Sequence, residues 1–200
     1  MIKATGRFLK SVACLNEAPR DQLPEIAFLG RSNVGKSSLI NSLLGTKLAR
    51  TSSTPGRTQL INFYLVNQKF YFVDCPGYGY AKAPDSIRNQ WHRLMEEYLE
   101  SREPLKLNVL LLDSRVAPTP LDEQMLEWLM AYQKPLTLVL TKIDKLSSNE
   151  LREAHRRLQR WTQNSSFIDY SAIQHIGRRE LWREILNALS APLRSPVVRS

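Results

Sequence analysis

An α/β fold is predicted for this 200-residue chain: a doubly wound, mostly parallel sheet of six strands with one antiparallel strand and helices on both faces. Three observations predict it. Short apolar runs alternate with helical patterns along the whole chain. Several of those runs, such as Val109-Leu110-Leu111-Leu112, are continuously apolar, as strands covered on both faces should be. Only Asn67-Gln68 separates two of them, which marks a single antiparallel hairpin.

Taken in order, residues 7–14 read as a short N-terminal strand. The segment before it is basic but lacks the apolar run of a secretory leader, and an organellar transit peptide is the competing reading. Strands then follow at 25–29, 59–66, 69–74, 107–113, 136–141 and 167–170. A helix over 37–44 follows a glycine loop and stops at Gly45. Residues 85–100 place Ile87, Trp91, Leu94 and Tyr98 on one helical face. Thr119 is expected to cap a helix with Pro120 in its first turn and Asp122 and Glu123 just beyond. Ser147 and Glu150 form a capping-box pattern before 151–161, and 180–189 is the last helix. The organisation is therefore an N-terminal extension (1–21), one domain (22–190) and a disordered tail (191–200).

Composition narrows the class of partner. Lys and Arg outnumber Asp and Glu by 28 to 19, giving a net charge of +9 and a pI near 9.8. That balance favours an anionic partner such as nucleic acid. Residues 1–50 and 151–200 each hold an excess of five positive charges, while 51–150 is nearly neutral at −1. A polyanion-binding surface should then use the two ends of the chain. With 42% hydrophobic and 24% charged residues, wholesale disorder is excluded. Cys14 and Cys75 fit no disulfide framework or metal spacing and read as reduced, buried thiols of a cytoplasmic protein. No apolar run approaches the ~18–20 residues of a membrane span.

The most specific signal is Gly30-Arg31-Ser32-Asn33-Val34-Gly35-Lys36-Ser37, a full match to G-x-x-x-x-G-K-[ST] between an apolar strand and a helix. Its glycines let backbone N–H groups approach phosphate oxygens, and the helix N-terminus adds the positive end of its dipole. Lys36 is expected to reach the β- and γ-phosphates and the Ser37 hydroxyl to hold Mg²⁺. Nucleoside triphosphate binding follows, without a choice of base.

Other segments make that choice. Asp74-Cys75-Pro76-Gly77 ends a strand about forty residues later. Asp74 can hold the Mg²⁺ shell through water, and the Gly77 N–H can touch a γ-phosphate and release it after hydrolysis. Thr141-Lys142-Ile143-Asp144 ends another strand. Asp144 can accept both guanine N1–H and N2–H₂, a donor pair adenine lacks, while the stem of Lys142 lies over the base. Tyr170-Ser171-Ala172 could offer backbone N–H groups to guanine O6. The polar loop over 51–59, with Pro55 and Gly56, suits a mobile switch. Thr58 is the preferred switch threonine, with Thr54 its competitor, and Gly56, Arg57, Gln59 and Leu60 are its nucleotide-binding neighbours. A small-molecule phosphotransferase would leave Thr-Lys-Ile-Asp without purpose.

The order of these boxes resembles the translation-factor-type GTPases. More closely, Gly-Arg-Ser-Asn-Val-Gly-Lys-Ser, Arg-Thr-Ser-Ser-Thr-Pro-Gly-Arg-Thr-Gln and Asp-Cys-Pro-Gly-Tyr-Gly-Tyr-Ala resemble the EngB (YihA/YsxC) family, within the TrmE-Era-EngA-EngB-septin-like P-loop GTPases. The likeness spans about residues 22 to 190. It implies a Ras-like fold, a bacterial or organellar GTPase, a role in large ribosomal subunit assembly, and an association with cell division and septation. A monomer with GTP or GDP as ligand and large-subunit RNA and protein as partners is expected. A non-enzymatic, GTP-dependent scaffold is the alternative.

Two positions depart from the commonest GTPase pattern. Thr141 replaces the usual asparagine, which puts the side-chain tie to the phosphate loop in doubt. Tyr78 follows Gly77 where Ras-like enzymes use a water-orienting glutamine, so slow intrinsic hydrolysis is expected. Asn33 is a candidate K⁺ site, because related GTPases with asparagine there use K⁺ beside the phosphates. Tyr78, Tyr80 and Lys82 could meet RNA, although packing of the tyrosines under the adjacent helix is the favoured reading. Arg152, Arg156, Arg157 and Arg160, continued by Arg178, Arg179 and Arg183, are the candidate RNA surface.

Overall fold

In the computed structural model, which describes residues 4–49, 60–79, 85–131, 133, 135–162 and 166–191, the apolar runs become seven strands. These are β1 (Gly6–Val12), β2 (Glu25–Gly30), β3 (Ile61–Val66), β4 (Phe70–Asp74), β5 (Leu105–Asp113), β6 (Leu136–Thr141) and β7 (Phe167–Tyr170). They form one sheet in the order β1-β3-β4-β2-β5-β6-β7. Strand β3 runs antiparallel to both β1 and β4, and every other pairing is parallel. The expected sheet of six is thus a sheet of seven. The N-terminal strand pairs along the outer side of β3, from Gly6 opposite Val66 to Val12 opposite Ile61, and covers backbone groups that β3 would otherwise expose. The β3–β4 turn places Asn67 and Gln68 at φ of 50° and 57°, as a two-residue hairpin with right-handed strand twist requires.

Five helices complete the described fold: α1 (Lys36–Leu44), α2 (Asp85–Ser101), α3 (Pro120–Ala131), α4 (Ser148–Trp161) and α5 (Arg178–Ser190). Alternation along the strands decides which face each one covers. Phe28 and Val139 point to the face where Leu39, Trp182 and Ile185 bring α1 and α5. Ala27 and Leu29 point to the other, against Trp91, Tyr98 and Met125 of α2 and α3. Leu112 and Leu140 meet Ala154 and Leu158 of α4 on that second face. The buried carboxylate of Glu25 is satisfied there by Arg102, at 2.6 and 2.9 Å, and by the Tyr98 hydroxyl at 3.0 Å. Arg102 also donates to the Pro19 carbonyl at 2.7 Å, which ties the segment before β2 to the core.

Of three local expectations, one holds and two are corrected. The Ser147–Glu150 capping box forms as read. At Thr119 the polarity is reversed: its backbone N–H and hydroxyl both donate to Asp122, at 2.8 and 2.7 Å, rather than the hydroxyl accepting from the helix. Cys75 is buried, but Cys14 is exposed, because it lies just beyond the end of an edge strand.

Candidate nucleotide site

The phosphate loop leaves the C-terminal end of β2, between β4 and β5, where the connections diverge to opposite faces; ligands of doubly wound sheets bind at this kind of crevice. Gly35 turns the chain into α1 at φ 113°, a conformation that favours glycine, and no side chain caps the helix. Among the described residues, the backbone N–H groups of Gly35, Lys36, Ser37 and Ser38 have no hydrogen-bond partner. Four donors and a dipole end are therefore turned to one point, which is the physical requirement for holding a phosphate. The ammonium of Lys36 folds back to the Gly30 carbonyl at 3.4 Å.

The Asp74–Gly77 segment lies against this loop. Ser37 donates to Asp74 at 3.4 Å. Burial pushes the Asp74 carboxyl up, against the opposing pull of Lys36 and the Ser37 hydroxyl. Among the described residues no cluster of three metal-ligating side chains exists. An oxygen pair beside a phosphate site suits Mg²⁺, which takes few protein ligands and fills its shell with water and phosphate. A Cβ on Gly77 would stand 2.9 Å from the Ser32 nitrogen and 3.1 Å from the Lys36 ammonium, so only glycine lets the two loops approach this closely.

The next residue settles the tyrosine question for its own position. Tyr78 is buried, its hydroxyl donates to Asp122 at 2.8 Å, and its ring packs edge-on against Trp91. Trp91 in turn donates to the Pro76 carbonyl at 3.1 Å, and Ser32 N–H to the Tyr78 carbonyl at 2.9 Å. Burial and the neighbouring Asp122 carboxylate push the phenol far above its ordinary range, so it stays neutral.

On the base side, the expectation about Thr141 is overturned. Its hydroxyl sits 2.8 Å from the Val34 carbonyl and 3.0 Å from that of Leu112, so the tie to the phosphate loop exists. One hydroxyl on a buried strand end is enough, because β6 brings the threonine directly beneath Val34. Thr141→Val, which keeps the shape and removes the donor, is expected to lower stability by about 1–2 kcal/mol and to weaken nucleotide binding. Thermal melts with and without GDP check it, and an unchanged melting temperature would count against the tie.

Lys142 adopts φ 61°, uncommon for a residue with a side chain, as it leads into a short 3₁₀ turn containing Ile143 and Asp144. Its Cε passes over Gly35, and its ammonium bonds the Asn33 carbonyl at 2.6 Å and Asp113 at 2.7 Å. The Ser171 hydroxyl donates to Asp144 at 2.7 Å, and Gln174 N–H to Ser171 at 3.0 Å. Ser171 N–H, expected among the donors to guanine O6, pairs instead with the Ile176 carbonyl at 3.1 Å because a bridge closes this loop on itself. The Tyr170 hydroxyl reaches Ser42 at 3.1 Å, which locks the loop to α1.

The fold thus brings Gly30 to Ser37, Asp74 to Gly77, Thr141 to Asp144 and Tyr170 to Ala172 to one end of the sheet. Leu60 is described, half-buried before β3; Thr54, Gly56, Arg57, Thr58, Gln59, Tyr80, Lys82 and 192–200 lie outside the described residues. Sequence reading missed Asp113. Its signal was a carboxylate directly after the apolar run Val109–Leu112, at the C-terminal end of a strand, where ligand sites of such sheets gather.

The seven arginines do not make one surface. Val139 and Leu140, neighbours on β6, point to opposite faces and meet α5 and α4 respectively, so the two arginine sets lie on opposite sides of the sheet. Arg178 is a structural residue, donating to the Leu43 carbonyl at the end of α1 at 3.1 Å. Arg157 is half-buried beside Arg31, Asp113 and Asp122. Arg152 donates to Asn149, Arg156 pairs with Glu153 at 3.0 Å, and Arg160 is exposed. Arg179 and Arg183 are exposed on α5.

Comparison with known proteins adds the family. A family model described as 50S ribosome-binding GTPase matches residues 25–142. The probable GTP-binding protein EngB of Solibacter usitatus is 50% identical over 192 residues, covering 96% of this chain and 100% of that protein. This chain belongs to the EngB family. The EngB relative of Prosthecochloris aestuarii is 48% identical across 92% of this chain and 96% of its own, and that of Aquifex aeolicus 44% across 93% and 99%. EngB proteins bind GTP, and the chain is a GTPase. A crystal structure of a probable EngB shares the fold with a TM-score of 0.70 at 24% identity, over 82% of this chain and 98% of that one. Aquifex aeolicus Era bound to GDP and aluminium fluoride shares it with a TM-score of 0.67 at 24% identity, over 88% and 59%. No helix among the described residues is long and apolar enough to cross a membrane.

Proposed function

We propose that this EngB-family GTPase is a slow, Mg²⁺-dependent switch that acts in the cytoplasm, as a monomer, on assembling large ribosomal subunits and through them on cell division and septation. The observation that carries the reading is the meeting of two half-sites: four unpaired N–H donors with Lys36 at the start of α1, and the Asp144 carboxylate held by Ser171.

In this reading the loop N–H groups and Lys36 hold the β- and γ-phosphates, Ser37 and Asp74 hold Mg²⁺, and Asp144 pairs with guanine. Ser37 and Asp74 would hold the metal, which would supply positive charge to offset that of the phosphate oxygens. Gly77 offers its N–H to the γ-phosphate and Thr58 its hydroxyl to the metal, so both switch segments respond to hydrolysis. Tyr78 cannot orient the attacking water from its buried place against Asp122, which supports slow turnover without an activating surface. Asn33 is exposed at φ 64° with no side-chain hydrogen bond among the described residues, so its amide is available to a K⁺ ion beside the phosphates. Hydrolysis makes the purely non-enzymatic scaffold unnecessary. The exposed Arg152, Arg156 and Arg160 of α4 are the RNA-facing candidates, and the family description of 50S ribosome binding supports the partner.

Co-sedimentation with large ribosomal subunits tests the proposal. More protein should pellet with a non-hydrolysable GTP analogue than with GDP, and the bound fraction should fall steeply with salt. Subunits should raise GTP hydrolysis, more in K⁺ than in Na⁺. Binding indifferent to nucleotide and salt would overturn the assembly role, and equal rates in the two salts would remove K⁺ from it.

A further inference from the structure

Asp113 is neither in the phosphate loop nor in the Thr141–Asp144 segment, yet it is the group that decides where Lys142 sits. It ends β5, beside Thr141 at the end of β6 in the parallel register. Its side chain is 14% exposed, and one oxygen receives the Lys142 ammonium at 2.7 Å. Arg115, two residues on and about half exposed, bonds the same carboxylate at 2.8 and 2.9 Å. The Lys142 ammonium makes its second bond to the Asn33 carbonyl at 2.6 Å, and its stem crosses Gly35. A lysine stem has four rotatable bonds and would otherwise sample many positions. Here Asp113 and Asn33 hold its end, so the methylenes stay stretched across the mouth of the phosphate loop.

We infer that Asp113 is a positioning residue for nucleotide binding: it holds Lys142 in the extended conformation whose stem forms one wall of the base site and whose ammonium steadies the phosphate loop at Asn33. The inference rests on the proposed nucleotide site. Asp113 acts only through Lys142 and touches no base itself, so its loss should weaken GDP and inosine diphosphate by the same factor. Selection for the guanine N2 amino group belongs to Asp144 and should not change. Arg115 adds a second cation to Asp113 but bonds neither the phosphate loop nor the base segment, so removing it should matter little.

A double-mutant cycle tests this, with GDP binding measured by calorimetry for the full chain, Asp113→Asn, Asp113→Ala, Lys142→Ala, Arg115→Ala and the Asp113→Ala/Lys142→Ala pair. Asp113→Asn and Asp113→Ala should bind GDP roughly tenfold or more weakly, with an unchanged GDP to inosine diphosphate ratio, and Arg115→Ala within about twofold of the parent. In the Lys142→Ala background the Asp113→Ala loss should shrink to under about threefold, which a merely structural role would not produce. An Asp113→Asn chain that binds GDP like the parent, or an equal loss in both backgrounds, overturns the inference. If the parent itself does not bind GDP, the nucleotide site fails, and the two failures are distinct.

Discussion

A Lys36→Ala chain is expected to hydrolyse GTP about 100- to 1,000-fold more slowly than the parent while keeping its fold. The ammonium lies 3.4 Å from the Gly30 carbonyl and would be 3.1 Å from a Cβ on Gly77, so it stands between the phosphate loop and the Asp74–Gly77 segment. In the proposed site it would be the charge fixed at that point when negative charge spreads over the departing phosphoryl oxygens. Its loss also acts on Asp74. Burial pushes that carboxyl up and Lys36 is the main opposing charge, so without it the protonated form gains and hold on the metal weakens. Lys36→Arg keeps the charge but has a bulkier head to fit beside Gly77, and it should recover little activity. Single-turnover hydrolysis with a parallel thermal melt checks both. Near-parental turnover in Lys36→Ala would sink the assignment of this lysine.

The second large effect is a reversal of base preference in Asp144→Asn. A carboxylate presents two acceptors to the two guanine donors, and Ser171 holds one oxygen through its own hydroxyl at 2.7 Å. In the asparagine the carbonyl oxygen should keep the Ser171 bond, which leaves the NH₂ group facing the guanine amino group, donor against donor. Xanthine carries a carbonyl at that position and accepts. GDP affinity should fall at least about 100-fold and that for xanthosine diphosphate should rise above it. Competition binding with the two nucleotides measures this, and an Asp144→Asn chain that still favours GDP would refute the pairing.

The acid behaviour of the same region follows from Asp113. Burial alone would raise its carboxyl, but the hydrogen bonds from Arg115 and Lys142 outweigh that and hold it at about 2. The folded value lies below the unfolded one, so this clamp contributes its full stability above pH ~4 and loses it as pH falls toward about 2.

Much of this molecule was legible in its residues. The strand–loop–helix setting of Gly30 to Ser37, the hairpin at Asn67-Gln68 and the Ser147–Glu150 cap are local features, decided by spacing and backbone preference within a few residues. The base-side motif could be read because it follows the phosphate loop and Asp74–Gly77 in order; alone, a strand end followed by Lys-x-Asp is equally a surface lysine and a helix-cap aspartate. Contacts that depend on which strands become neighbours were not legible. Thr141 looked like a loss until β6 placed its hydroxyl under Val34, and Asp113 looked like the end of an apolar run until β5 and β6 paired. The arginines read as one stripe because sequence records order and not faces; alternation on β6 sends α4 and α5 to opposite sides.

Sequence by itself therefore determined the groups on offer: a glycine-rich loop ending in Lys36 and Ser37, a carboxylate after Lys142, and a basic excess at both ends. Tertiary structure decided how those groups are held and whether they meet. Only the packed sheet shows that Tyr78 is turned inward to Asp122, that Lys142 is pinned from two sides, and that Arg178 serves the end of α1. The physical reason is range: caps, turns and loop conformations are set by neighbours in the chain, whereas a buried hydrogen bond takes whichever partner the strand order brings within about 3 Å.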